Sequence, residues 1–327
     1  MYIQPSADLW RGRIDSDNDP LSFRYHQQVQ TVNSSDISPS NEQANRFAII
    51  GFQCDEGVRR NKGRVGAAEG PEAIRKAVAK LPWHFKPGTQ VLDIGDVKCD
   101  GNQMEAAQEE MGAAISTLHK KGIFPLILGG GHETFYGHYL GARKYLGPDA
   151  KIGIVNIDAH FDLRPYDQEP SSGTMFKQIL DQDPNSRYMV IGIQTQGNTK
   201  TLFETARKLN VQYILEDSLS IDRLDEPKKE ISKFAREHDA IILTLCTDGI
   251  SSAFAPGVSA PSPFGLEPKL VRALIRHIVS HDNILSFDIS EVNPSLDEEN
   301  KTVSLAASLV NDALLTIDTK HKMEGTT

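Results

Sequence analysis

From Arg46 onward, short apolar runs alternate with longer stretches in which apolar residues recur at helical spacing. Eight runs read as strands: Phe47 to Gly51, Val91 to Ile94, Pro125 to Leu128, Ile152 to Ile157, Tyr188 to Ile193, Val211 to Leu215, Ala240 to Leu245 and Ile284 to Phe287. Between them, Met104, Ala107, Met111, Ala114, Ile115 and Leu118 share one helix face that Gly122 can close, and Leu266, Leu270, Leu274, Ile275 and Ile278 share another. Pro71 suits the first turn of a further helix that carries Ile74, Val78 and Leu81 inward. Strand followed by helix, repeated, predicts an α/β protein with a parallel sheet. No linker or repeat interrupts this pattern, so residues 46–320 are expected to form one domain. Residues 1–45 are polar and turn-rich, as in Asp15 to Pro20 and Ser34 to Ser40, and read as a surface arm free to cover a neighbour.

A chain of 327 residues can bury one large core. With 39% apolar and 24% charged residues it has the balance of a globular protein. The net charge of -9 argues against a nucleic-acid partner, and no run approaches the ~20 apolar residues of a membrane span. The start of the chain lacks the basic-then-apolar pattern of a secretory signal, and Cys54, Cys99 and Cys246 are odd in number and widely spaced. Both features lead to the expectation of a cytoplasmic protein without a disulfide framework.

The chemistry concentrates where strands end, which is where open α/β sheets place their working groups. The run ending at Ile157 continues as Asp158-Ala159-His160-Phe161-Asp162, two carboxylates and an imidazole at alternate positions. Side chains of an extended segment repeat every two residues, so all three point one way. Oxygen donors mixed with an imidazole suit a divalent cation such as manganese, and the lack of paired cysteines argues against a structural zinc. Taken alone, the segment is served equally well by Asp158 capping a turn, His160 as a satisfied polar residue and Asp162 in solvent. Three further strand ends shift that balance: Gly129-Gly130-Gly131-His132-Glu133, Cys246-Thr247-Asp248-Gly249 and Asp288-Ile289-Ser290-Glu291. The glycine run lacks the ending of a P-loop and the spacing of a dinucleotide fingerprint.

In order, Gly129 to His132, Asp158 to Asp162, Thr244 to Asp248 with Ala255 to Pro261, and Asp288 to Glu291 with Asn293-Pro294 resemble the signature blocks of the arginase, agmatinase and formimidoylglutamase family, from about Gly51 to about Leu309. The resemblance implies a three-layer α/β/α fold around an eight-stranded parallel sheet and two manganese ions per subunit. It implies His132, Asp158, His160, Asp162, Cys246 and Asp248 as metal ligands, Asp162 and Glu291 as catalytic groups, and Glu291 as the carboxylate that receives an amidine or guanidine. Cys246 stands where the family has a metal-bridging aspartate. A thiolate there favours zinc, iron or cobalt over manganese relative to an all-oxygen set, which leaves metal number and identity open. Cys246 as a small buried apolar residue fits the sequence as well as Cys246 as a ligand.

Within the family, Arg164 and the segment Ser171-Ser172-Gly173-Thr174 resemble the formimidoylglutamase branch, with Phe176 where arginases and agmatinases carry a histidine. Asn61 and Gly63-Arg64 in the early loop share that likeness, whereas Arg59, Arg60 and Arg64 receive no role. A substrate tail with two carboxylates calls for a cation and several donors, which Arg164, Ser172 and Thr174 can supply. Arg164 as an ordinary surface ion-pair partner is the plain alternative. The expected activity is hydrolysis of N-formimidoyl-L-glutamate to L-glutamate and formamide in histidine degradation. The expected partner is a small molecule, with neither nucleic acid nor membrane, and a homo-oligomer is implied by the resemblance. The rivals are a relative acting on a guanidino compound and a non-catalytic amidine binder.

Overall fold

The computed structural model describes residues 1–38 and 44–320. Ten strands form one sheet: β1 (Tyr2–Ile3), β2 (Gln30–Thr31), β3 (Arg46–Gln53), β4 (Gln90–Lys98), β5 (Phe124–Leu128), β6 (Ile152–Ile157), β7 (Ser186–Ile193), β8 (Gln212–Leu215), β9 (Ala240–Cys246) and β10 (Ile284–Ser290). The helices are α1 (Tyr25–Gln28), α2 (Glu56–Arg60), α3 (Gly70–Val78), α4 (Met104–Lys120), α5 (Thr134–Leu146), α6 (Met175–Gln182), α7 (Lys200–Lys208), α8 (Asp225–Arg236), α9 (Pro268–Val279) and α10 (Lys301–Lys320). Strands run in the order β1-β4-β3-β5-β10-β9-β6-β7-β8, with β2 also on β4. Every pairing is parallel except that of β1 with β4.

Period-two alternation explains the layers. Phe47 and Ile49 join Val155, Ile157, Leu243 and Leu245 on the face covered by α3, α8, α9 and α10. Ala48, Ile50 and Phe52 face the other way, towards α4, while Ile152, Ile154 and Val190 on that same side meet α5 and α6. Both faces are therefore dry, which is why these strands read as nearly continuous apolar runs. Gly122 follows α4 at φ +68°, the left-handed geometry that lets it close the helix.

The eight longer strands coincide with the eight runs read from the sequence: β6 has the expected bounds, β8 starts one residue late so that Val211 lies outside it, and the other six extend the runs by one to five residues. Leu266 and Leu81 fall outside their expected helices, because α9 begins at Pro268 and α3 ends at Val78. The amino-terminal arm contributes to the core. β1 and β2 pair with β4, and Trp10, Tyr25 and Ile37 are buried. Trp10 Nε1 donates to Asp93 Oδ2 at 2.8 Å, joining the arm to a fully buried Arg75 whose guanidinium donates to Asp93, Asp96 and the carbonyl of Gly95. Residues 39–43 of the expected arm, including Pro39 and Ser40, lie outside the described residues.

Candidate metal centre and substrate cavity

Four neighbouring strands at the middle of the sheet, β5-β10-β9-β6, end at one place. Their carboxyl-terminal extensions deliver His132, Glu291, Cys246 with Asp248, and Asp158 to Asp162. The glycines before His132 serve close approach: a Cβ at Gly130 would lie 1.9 Å from the carbonyl oxygen of Cys54, so only glycine lets this loop pass.

His132 Nδ1 lies 3.2 Å from Asp158 Oδ2 and 3.0 Å from Asp162 Oδ2. His160 Nδ1 lies 3.5 Å from Asp158 Oδ1 and 3.3 Å from Asp248 Oδ2. Cys246 Sγ donates to Asp248 Oδ1 at 2.8 Å. Asp158 is steadied by the side chain of Asn156, whose Nδ2 donates to Oδ2 at 3.1 Å, and by the backbone N–H of His160, which donates to Oδ1 at 2.8 Å. Donor atoms of His132, Asp158 and Cys246 lie within 4.8 Å of one another, and so do those of Asp158, His160 and Asp248. The two groups share Asp158, one carboxylate oxygen facing each.

Electrostatics explain why this cluster suits cations. Burial alone would lower both imidazoles, yet Asp158 and Asp162 hold His132 well above the usual histidine range, and Asp248 and Asp158 do the same for His160. Burial, followed by the carboxylates of Asp158 and Asp248, pushes the Cys246 thiol up. Burial also raises Glu291, with Asp248 and Glu133 adding to it. Glu291 Oε1 accepts the backbone N–H of His132 at 2.9 Å, whereas Oε2 is buried without a partner. Asp162 and Glu291 hold left-handed backbone at φ +50° and +68°, a strain of order 1–3 kcal/mol each that is characteristic of functional positions. Mixed imidazole, carboxylate and thiol donors in a surplus of buried negative charge fit a pair of divalent cations.

The expected residues are distributed as follows. His132, His160, Asp162, Arg164, Ser172, Cys246, Asp248 and Glu291 line one cavity, with Asp158 buried at its floor. Asp162 touches His132 but belongs to neither three-donor group. Thr174 does not line the cavity. Its hydroxyl donates to the carbonyl of Ser171 and accepts from the backbone N–H of Ser171 and from Gln178, so it shapes the turn before α6 and is unavailable to a ligand. Phe176 is fully buried behind His132, ring to ring at 5.6 Å. Arg60 is tied to Glu56, Glu105 and the carbonyl of Pro170, anchoring α2, and Arg64 donates to the carbonyls of Val258 and Ser259. Asn61 and Ser259 join the cavity wall. Glu133 accepts the backbone N–H of Gly57 at 2.8 Å and is pushed up to about 7 by burial. Asn156, which opens this segment in the sequence, was given no role there, although a polar residue two positions before Asp158 on a buried strand was a usable signal.

Residues 45–316 match the Arginase family, and the chain belongs to it. Within that family it is similar to the formimidoylglutamase of Geobacillus kaustophilus, at 54% identity over 316 residues, which covers 96% of this chain and 97% of the relative. The formimidoylglutamase of Geobacillus thermodenitrificans is 53% identical over 315 residues, covering 96% of this chain and 97% of that protein. Among solved structures, a Trypanosoma cruzi formiminoglutamase with Mn2+ matches at a TM-score of 0.76 and 23% identity, over 86% of this chain and 98% of that one.

Proposed function

We propose that this chain hydrolyses N-formimidoyl-L-glutamate to L-glutamate and formamide, as a step of histidine degradation. The observation that carries the reading is the convergence, in one cavity, of two ligand groups sharing Asp158, the unpartnered Oε2 of Glu291 and the cation of Arg164 at the mouth. The nearly full-length likeness to formimidoylglutamases supports it.

His132, Asp158 and Cys246 would hold one divalent cation, and Asp158, His160 and Asp248 the other. Such cations, manganese by the likeness to the Trypanosoma cruzi protein, would lower the pKa of water towards neutrality and so supply hydroxide at physiological pH. Glu291 receives the amidinium. Its Oε1 is fixed by the His132 N–H, and its buried Oε2 accepts from the substrate's nitrogens in a charge-assisted hydrogen bond. With hydroxide so supplied, addition to the amidine carbon and cleavage of the bond from that carbon to the glutamate nitrogen would release L-glutamate and formamide. Asp162, at the cavity wall beside His132, carries the proton from the attacking water to the leaving nitrogen. Arg164 and Ser172 hold the dicarboxylate tail, with Asn61 and Ser259 shaping the space beside it.

The three free cysteines fit a reducing compartment, so a cytoplasmic location belongs to the proposal, as does a homo-oligomer by family resemblance. No helix among the described residues is long and apolar enough to cross a membrane. Two three-donor groups remain beside the unpartnered Glu291 Oε2 despite Cys246, which favours an enzyme over a non-catalytic binder. The test is turnover by manganese-loaded protein: formamide from N-formimidoyl-L-glutamate is expected, and comparable urea release from arginine, agmatine or 4-guanidinobutyrate would contradict the proposal.

A further inference from the structure

On the side of His132 turned away from the carboxylates, a string of buried polar groups runs back into the sheet. His132 Nε2 stands 3.1 Å from Thr244 Oγ1. Thr244 Oγ1 donates to Asp288 Oδ1 at 2.8 Å, and Ser290 Oγ donates to the same oxygen at 3.1 Å. The other oxygen, Asp288 Oδ2, lies 2.7 Å from His138 Nδ1, and His138 Nε2 faces Ser286 Oγ. The sheet fixes this alignment, because Asp288 sits in register with Thr244 and Ser290 with Cys246. A slip of β10 by one residue would turn Ser286, Asp288 and Ser290 to the opposite face.

Counting hydrogens along the string leaves little freedom. The hydroxyls of Thr244 and Ser290 both donate to Asp288 Oδ1, and a hydroxyl has one hydrogen to give. The single hydroxyl hydrogen of Thr244 is thereby committed, and towards His132 its oxygen can only accept. His132 Nε2 therefore carries a hydrogen, and a neutral His132 ring keeps its lone pair on Nδ1. Nδ1 is the atom that faces Asp158 and Asp162.

We propose that Thr244 and Asp288, braced by His138, are positioning residues that hold His132 in the one tautomer and orientation able to ligate a cation. The proposal rests on reading the cluster as a cation site, and it assigns Asp288 to the support of a ligand. Replacing Thr244 by valine keeps the shape but removes the acceptor. The Nε2 hydrogen is then buried without a partner whenever Nδ1 ligates, so the cost falls on cation binding.

The test titrates metal-stripped full-length protein with Co2+ alone and reads the visible absorption of the bound ion. Thr244→Val is expected to weaken binding roughly 10- to 100-fold, the usual effect of losing such an outer partner, while Thr244→Ser, which retains the hydroxyl, binds like the parent. Nitrogen-15 NMR of the Zn2+-loaded parent protein needs no variant to fold and is expected to show His132 protonated on Nε2 and bare on Nδ1. Parent-like Co2+ affinity in Thr244→Val, or a hydrogen on Nδ1 in the Zn2+ form, overturns the positioning role and leaves the proposed function standing. Failure of the parent to bind either ion overturns both.

Discussion

Arg164 offers the most direct handle on substrate choice. It is exposed at the cavity mouth, where its backbone N–H donates to Gly173 at 2.9 Å while its guanidinium has no hydrogen bond or ion pair among the described residues. A hydrogen bond to a charged group contributes about 1.5–3 kcal/mol when well shielded, and exposed ion pairs contribute about 0.2–1 kcal/mol. A site at the mouth that a bound substrate covers falls between these limits, at roughly 1–2 kcal/mol. At about 1.4 kcal/mol per factor of ten, Arg164→Ala should raise KM for N-formimidoyl-L-glutamate about 5- to 30-fold. Because this contact holds the tail equally in ground and transition states, kcat should barely change. Arg164→Lys should recover part of the loss, since it restores charge without the two-pronged geometry. Steady-state kinetics should also show little effect of Arg164→Ala on a formimidoyl compound whose tail lacks carboxylates. An unchanged KM for the dicarboxylate, or a loss confined to kcat, would refute the assignment.

Replacing Cys246 with aspartate should shift preference towards Mn2+ over Zn2+ and Co2+ in competitive binding, and an unchanged preference would show that the thiol is not a ligand. Arg75→Leu leaves Asp93 and Asp96 buried without their partner, and denaturant unfolding should show a loss of about 3–5 kcal/mol; a loss below about 1 kcal/mol would contradict the role given to this pair. Burial, with a smaller contribution from His138, lowers His119 from 6.5 to about 3, so the folded chain keeps this ring neutral where the unfolded chain protonates it. The resulting stability is complete above pH 6.5 and is lost as pH falls towards 3, at up to about 1.4 kcal/mol per unit. His119→Phe should therefore lose less stability than the parent between pH 7 and about 5 in urea unfolding, and parallel losses would count against this account.

The strands were legible because both faces of the sheet are covered, so each appears as an unbroken apolar run. Where polar residues are buried the signal stops early. β10 continues past Phe287 because Asp288 and Ser290 satisfy each other and Thr244 inside the sheet, which no apolar pattern reveals. β1 and β2 are two residues long and exist only through pairing with β4, a long-range contact without a local signature. That these candidate residues meet was legible because alternate residues at strand ends share a side, a constraint that the backbone imposes. The cavity wall was less so. Thr174 looks like a donor in sequence, but its hydroxyl is consumed by Ser171 and Gln178 three and four residues away. Asp162 follows the same alternation as Asp158 and His160, yet its left-handed backbone carries its carboxylate to His132, outside the groups formed by its neighbours.

Metal content of the purified, dialysed protein tests the central claim most directly. Analysis by inductively coupled plasma mass spectrometry after loading with Mn2+ should find two ions per chain, with His132→Ala and His160→Ala each losing one, since each histidine serves a different group that shares Asp158. Full hydrolytic activity in protein stripped of metal, or both ions retained in the two variants, would contradict it.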